Sequence, residues 1–180
     1  ENKSTVAELK HWDEQLVNAG ARLWLMRVDL ITQFRNNVES MIQRYDSSIQ
    51  FEIVYFDKAP REKTYRKQVR DALNTDLALG RTTAGPHRDD VLFIWDKRNL
   101  RNFGSQGEHK LALVLLKLAE MCFIRDNTGS YPILLLDDLF SKLDFERSQK
   151  IVSLLQSLEN KSGEPVQTIV TTTDILNVES

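Results

Sequence analysis

The chain has 180 residues, 41% of them hydrophobic and 28% charged, with a formal net charge of -2 at neutral pH. That balance fits one ordinary globular domain or two small ones, and it confines any nucleic-acid contact to a local basic face. A single cysteine, Cys122, rules out a disulfide framework and sits at helical spacing among apolar neighbours, as core filler does. No apolar run reaches membrane-spanning length, and no secretory leader is visible, so a cytosolic location is expected.

Taken in order, residues 5–45 carry one long stripe: Leu9, Trp12, Leu16, Ala19, Leu23, Met26, Leu30, Phe34, Val38, Met41 and Tyr45. Its mean spacing is that of a straight α-helix, about 3.6 residues, rather than of a heptad coil. Ser4 or Thr5 is placed to cap this helix with Glu8 in the first turn, and Gly20 marks a bend or a close contact inside it. The stripe suits core packing, or an arm whose partner helices lie elsewhere in a longer protein.

Residues 47–57 alternate and read as a strand. After Pro60 a helix runs over residues 61–79 and stops at Gly80. One of its faces carries Lys63, Arg66, Lys67 and Arg70; the other carries Tyr65, Val69, Leu73 and Leu77. The basic face is either solvated or a track for DNA phosphates.

Gly85-Pro86 breaks the chain, and His87 follows it as a hydrogen-bonded turn histidine or a nucleotide-side residue. Val91–Trp95 and Leu100–Phe103 are expected to form a hairpin around residues 96–99. Next comes Gly104-Ser105-Gln106-Gly107-Glu108, opening a nearly all-apolar helix through residues 111–120. Ser105 with Glu108 three residues on has the form of a capping box. A helix mouth also leaves its first N–H groups free for an anion.

Beyond the turn at residues 129–132, Ile133–Leu136 reads as a short strand buried on both faces, followed by Asp137 and Asp138. The carboxyl end of such a strand faces a ligand crevice. Asp137 suits a Mg²⁺ ion, which keeps most of its waters and takes few carboxylates, and Asp138 suits orienting or deprotonating a water. A plain strand followed by a solvated, capping Asp pair fits the same residues. Residues 144–158 form a helix with Ile151, Leu154, Leu155 and Leu158 inward, residues 161–165 a loop, and residues 166–171 a last strand. That strand–helix–strand run is a βαβ unit with parallel strands.

Four motifs now stand in order: Gly85-Pro-His-Arg-Asp-Asp90, Ser105-Gln-Gly107, Leu134-Leu-Leu-Asp-Asp-Leu-Phe-Ser-Lys-Leu-Asp144 and Thr171-Thr-Thr-Asp174. Together they resemble the signature motif, Walker B strand and D-loop of ABC-type ATPase heads, and in wording the RecF family of bacterial recombination and gap repair. The match covers residues 81–174; residues 1–80 fit more loosely, by helix pattern. The resemblance implies an α/β fold: the C-terminal half of an ABC-type head over residues 81–180, mostly a parallel sheet with flanking helices, and a helical arm over residues 1–80.

A phosphate-cradling G-x-x-x-x-G-K-[ST] string is absent from the sequence. The resemblance places that string in the N-terminal half, so the chain is expected to be the C-terminal part of a longer protein, inactive toward ATP by itself. The implied cofactors are ATP and Mg²⁺, with Asp137 on the metal and Asp138 on the water. Ser105, Gln106 and Gly107 would bind nucleotide in trans, with Asp144 across the same interface of a head-to-head homodimer. DNA, RecO and RecR are the implied partners, with Lys63, Arg66, Lys67 and Arg70 against the DNA. Asp138 stands where most such heads have Glu, which implies slow turnover. Thr172, Thr173 and Asp174 occupy the region of the usual switch histidine, and Glu108 and His109 depart from the usual signature. A second reading is a scaffold head of the SMC or RecN kind that uses ATP only structurally; Asp138 and Ser105 favour the ATPase.

Overall fold

The computed structural model describes residues 6–55, 62–138, 140, 143–158 and 166–172. Two compact units divide the chain: residues 1–32 with 55–91, and residues 33–54 with 92–180.

In the first unit, helix α1 (Val6–Tyr45, shared with the second unit) and helix α2 (Glu62–Leu79) pack around Val17, Trp24, Tyr55, Tyr65 and Val69. The Trp24 and Tyr65 rings meet edge to face, with centroids 4.6 Å apart, the arrangement aromatic quadrupoles prefer. The contact exists because Gly20 has no side chain: a Cβ there would lie 2.5 Å from Tyr65 Cε1. That glycine sets the rotation of α1 and corrects the expected stripe. Trp12, Met26 and Leu30 are more than half exposed and Leu23 is 40% exposed, while Val17, Gly20 and Trp24 face inward. From Val38 and Met41 onward the expected and buried faces coincide. On α2, Tyr65 and Val69 are buried, but Leu77 is 61% exposed and not part of the core. The expected capping residues Ser4 and Thr5 lie outside the described residues.

The second unit begins with the end of α1, closed by a turn in which the Ser48 N–H and hydroxyl donate to Asp46 Oδ1 at 2.9 and 2.6 Å. Strands β1 (Phe51–Tyr55), β2 (Val91–Trp95) and β3 (Arg98–Asn99) form a sheet in that order. Phe51 stacks on Phe93 and meets Trp95 edge-on. The hairpin is tighter than expected. Ile94 pairs Asn99 and Trp95 pairs Arg98 around Asp96 and Lys97, both at positive φ, as a two-residue primed turn requires. The chain is then free to coil, and Leu100–Phe103, expected as the second strand, is helix α3.

Helix α4 (Gln106–Thr128) is the spine of this unit, with Leu111, Leu115 and Leu118 among its buried residues, and it ends at Gly129 in the left-handed conformation. Cys122 is buried on it, as expected. Strand β4 (Leu134–Leu136), helix α5 (Phe145–Gln156) and strand β5 (Thr168–Val170) complete the expected βαβ unit. The strands pair in parallel, Leu134 with Thr168 through Leu136 with Val170. The sheet is covered on one face only, against expectation: Leu134 and Leu136 are buried, but Ile133, Leu135 and Ile169 are 60, 69 and 52% exposed. Successive side chains of a strand point to opposite faces, and among the described residues one face of this pair is covered. The expected loop at residues 161–165 lies outside the described residues. The architecture is α/β, with a long N-terminal helix and small sheets flanked by helices.

Candidate functional site

The parallel register of β4 and β5 brings two strand ends side by side. Leu136 pairs with Val170, so Asp137 and Asp138 emerge beside Thr171. The Thr171 N–H extends the ladder by donating to the Leu136 carbonyl at 2.9 Å. Its hydroxyl donates to Asp137 Oδ1 at 2.5 Å and accepts the Asp138 N–H at 2.9 Å. One oxygen thereby fixes the carboxylate of the first aspartate and the backbone of the second. Asp138 has φ 49°, in the left-handed region that Asp tolerates better than most residues. Both aspartates are exposed. Hard oxygen donors at a strand's carboxyl end suit Mg²⁺.

Thr171 is the residue that sequence reasoning missed as part of the site. Equal offsets from the ends of the two paired strands put positions 137 and 171 together, a relation that appears only once the register is known. Thr172 is among the described residues; Thr173 and Asp174 lie outside them.

The second group gathers at the mouth of α4. Gly104 fits there because a Cβ would meet Leu100 Cδ1 at 2.6 Å and the Leu100 carbonyl at 2.7 Å. The capping box is complete: Ser105 Oγ accepts the Glu108 N–H at 3.2 Å, and Glu108 Oε2 accepts the Ser105 N–H at 2.7 Å. That backbone donor, with help from Arg98 and Arg147 nearby, holds the Glu108 carboxyl below its ordinary value. Ser105 Oγ accepts the Glu108 N–H, and its hydroxyl also bonds the Glu108 carboxyl, so the serine is tied to the box through both roles. Gln106 and Gly107, in the first turn, have no intrahelical acceptor for their N–H groups. His109 folds back, its Nδ1 2.8 Å from the Ser105 carbonyl.

Asp144 is the N-cap of α5. Its Oδ1 accepts the Arg147 N–H at 2.8 Å, and Oδ2 lies 3.5 Å from Arg147 Nε. The side chain is still 61% exposed. Arg147 thus pairs with the Asp144 carboxylate at the start of α5. Ser141 and Lys142 of the connecting loop lie outside the described residues.

In the first unit, the basic face of α2 is less uniform than its spacing suggests. Lys63, Lys67 and Arg70 are exposed, but Arg66 pairs with Glu62 at 2.8 Å and approaches Glu14 at 3.5 Å. Arg66 and Arg70 also border a groove of about 600 Å³ floored by Leu9, Val17, Val69 and Leu73. His87 is a turn histidine, with Nε2 3.1 Å from the Thr82 carbonyl.

Among the described residues no helix is long and apolar enough to cross a membrane. No family model matches the sequence. Curated relatives do. Over 98% of this chain it is 33% identical to the DNA replication and repair protein RecF of Halothermothrix orenii, covering 48% of that protein. RecF of Streptococcus pyogenes is 36% identical over 91% of the chain, which covers 44% of it. Among solved structures, the recombination mediator protein RecF-ATPrS of the RecFOR pathway superposes with a TM-score of 0.74 at 25% identity, over 99% of this chain and 48% of that one. The RecF-ATP structure of the same pathway gives 0.73 over 95% of the chain. The chain thus spans about half the length of the curated relatives it matches. With the parallel strand pair, the paired aspartates and the capped α4 mouth all in the order of the resemblance, this chain belongs to the RecF family.

Proposed function

We infer that this chain forms the C-terminal part of a RecF-type ATPase acting in DNA replication-gap repair and recombination. The observation that carries the reading is the turn at the end of β4, where a hydroxyl from β5 steadies two adjacent exposed aspartates. Asp137 would hold Mg²⁺, which would supply charge neutralisation at the phosphates. Asp138 orients or deprotonates the attacking water. Ser105 donates its hydroxyl, and Gly107 its backbone N–H, to the terminal phosphate of a nucleotide on a second protomer, with Gln106 beside them and Asp144 across the same interface. The protein therefore dimerises head to head with ATP, and hydrolysis releases the dimer. Residues 1–80 act as the arm and residues 81–180 as part of the head. Lys63, Lys67 and Arg70, with Arg66 when its ion pairs open, contact DNA phosphates. The RecFOR pathway to which the solved relatives belong supports RecO and RecR as partners, and the cytoplasm is the location proposed with them.

The test is to separate the two aspartates in a protein of the relatives' full length. Asp137→Asn is expected to weaken Mg²⁺-dependent nucleotide binding and remove dimerisation and hydrolysis together. Asp138→Asn is expected to keep binding and the dimer while slowing single-turnover hydrolysis by about 10²–10⁴-fold, so that the dimer persists on DNA. Hydrolysis at the parent rate in Asp138→Asn makes Asp138 a turn residue and favours the scaffold reading.

A further inference from the structure

We propose that Thr171 is a positioning residue for the β4 aspartates: its hydroxyl sets the rotamer of the metal-binding carboxylate and the backbone turn that aims the next one. The inference rests on the reading of Asp137 as the Mg²⁺ ligand. Its grounds are three. Thr171 Oγ1 gives its single proton to Asp137 Oδ1 and a lone pair to the Asp138 N–H, so one oxygen position serves both aspartates. Asp138 sits at φ 49°, in the left-handed region, and the Thr171 hydroxyl holds its N–H in that turn. Thr171 is itself fixed, because its N–H continues the β4–β5 ladder at the Leu136 carbonyl and its branched side chain is stiff about χ1.

The chemistry follows from that geometry. With Oδ1 tied to a donor, the Asp137 carboxylate keeps one orientation, and its second oxygen faces one direction on an exposed side chain. A donor on the far oxygen orients a ligating carboxylate, and loss of such a partner costs about 10–100-fold in metal affinity. The same hydroxyl anchors the N–H of Asp138, so removing it also loosens the residue assigned to the water. Thr171 touches neither metal nor water in this account; it acts through its neighbours.

The experiment uses the full-length protein and Mg²⁺ itself, titrated against a fluorescent ATP analogue, with affinity in excess chelator measured beside it. Thr171→Val is expected to raise the Mg²⁺ midpoint by about 10–100-fold and to leave the chelator affinity and the melting temperature near the parent's. Thr171→Ser, which keeps the hydroxyl, is expected to stay within about threefold of the parent. Should Thr171→Val fail to fold, Thr171→Ala replaces it and is expected to show the same shift. Asp137→Asn is the reference. If it moves the midpoint while Thr171→Val and Thr171→Ala do not, Thr171 is no positioning residue. If Thr171→Ser loses as much as Thr171→Val, the methyl matters rather than the hydroxyl, and the proposal falls. If Asp137→Asn itself leaves the midpoint unmoved, the metal assignment fails first and takes this inference with it.

Discussion

Two aspartates in this protein each accept a short hydrogen bond, and they do opposite work. Asp89, in the first unit, gathers the indole N–H of Trp24 at 2.5 Å and the hydroxyl of Tyr55 at 2.6 Å on one oxygen, with Arg27 3.4 Å away. Arg27 also donates to the Pro86 carbonyl. Asp89 as a residue is exposed, but its side chain is only 23% so, and its Oδ2 is engaged by groups from α1, by Tyr55 at the end of β1 and, through Arg27, by the Pro86–Arg88 turn. Asp137 takes one hydroxyl, from Thr171, and is exposed. A carboxylate surrounded by donors from the core is a structural knot. A carboxylate steadied on one oxygen and open on the surface has coordination to offer.

Removing each carboxylate is the strongest way to break that contrast. Asp89→Ala leaves the buried Trp24 and Tyr55 donors without their acceptor, while Arg27 keeps the Pro86 carbonyl. At roughly 1–3 kcal/mol for each buried unsatisfied group, a loss of about 3 kcal/mol and a Tm lower by about 10 °C are expected. Asp137→Ala is expected to stay within about 0.5 kcal/mol, as exposed sites do. Thermal melting of both variants decides; equal losses would erase the distinction.

Next in size is the packing that surrounds the knot. Gly20→Ala pushes a methyl to 2.5 Å from Tyr65 Cε1. Overpacking costs about 1–3 kcal/mol, and the gain in helix propensity returns about 1 kcal/mol. A net loss of about 1 kcal/mol is expected in denaturant unfolding. An Ala variant as stable as the parent would mean that Tyr65 moves freely.

Smaller still is the cap on the site side. Ser105→Ala removes the acceptor of the Glu108 N–H and is expected to cost about 1 kcal/mol. A change near zero would show the box to be unimportant for α4.

The finest discrimination is by pH. Burial, then the bond to Asp89, pushes the Tyr55 hydroxyl above its ordinary value. A raised phenol contributes stability that is whole below about pH 10 and is lost as the pH climbs toward its folded value, because the unfolded chain releases the proton first. Glu108 has the opposite sign: its lowered carboxyl contributes above the unfolded value near pH 4 and loses that contribution as the pH falls through the folded one. Tyr55→Phe should therefore flatten the alkaline limb of a Tm-versus-pH curve, and Glu108→Gln the acid limb. Either variant flattening the other's limb would contradict the assignment.

Long-range organisation was legible in the residues where period and punctuation agree. The spacing of α1, the Ser105–Glu108 box and the βαβ run around Asp137 all read correctly from types and offsets. The failures have physical causes. The α1 stripe was rotated because Gly20 counts as a gap in a hydrophobic pattern, whereas in the fold it is the point of closest approach. The hairpin was drawn too wide because its turn uses Asp96 and Lys97, with no glycine or asparagine to announce two positive φ values. Thr171 went unassigned because its role depends on strand register, which a single strand's sequence does not contain. Leu135 was expected inside because an apolar run carries no information about how many layers will cover it.

That last feature has a practical consequence. Ile133, Leu135 and Ile169 present an oily strip on a sheet of two short strands, and a pair of strands is marginal without further cover. Handled by itself at high concentration, the 180-residue chain carries its own adhesive. Self-association through that strip is the expected behaviour, and a charged replacement at Leu135 is the simplest route to a well-behaved sample for spectroscopy.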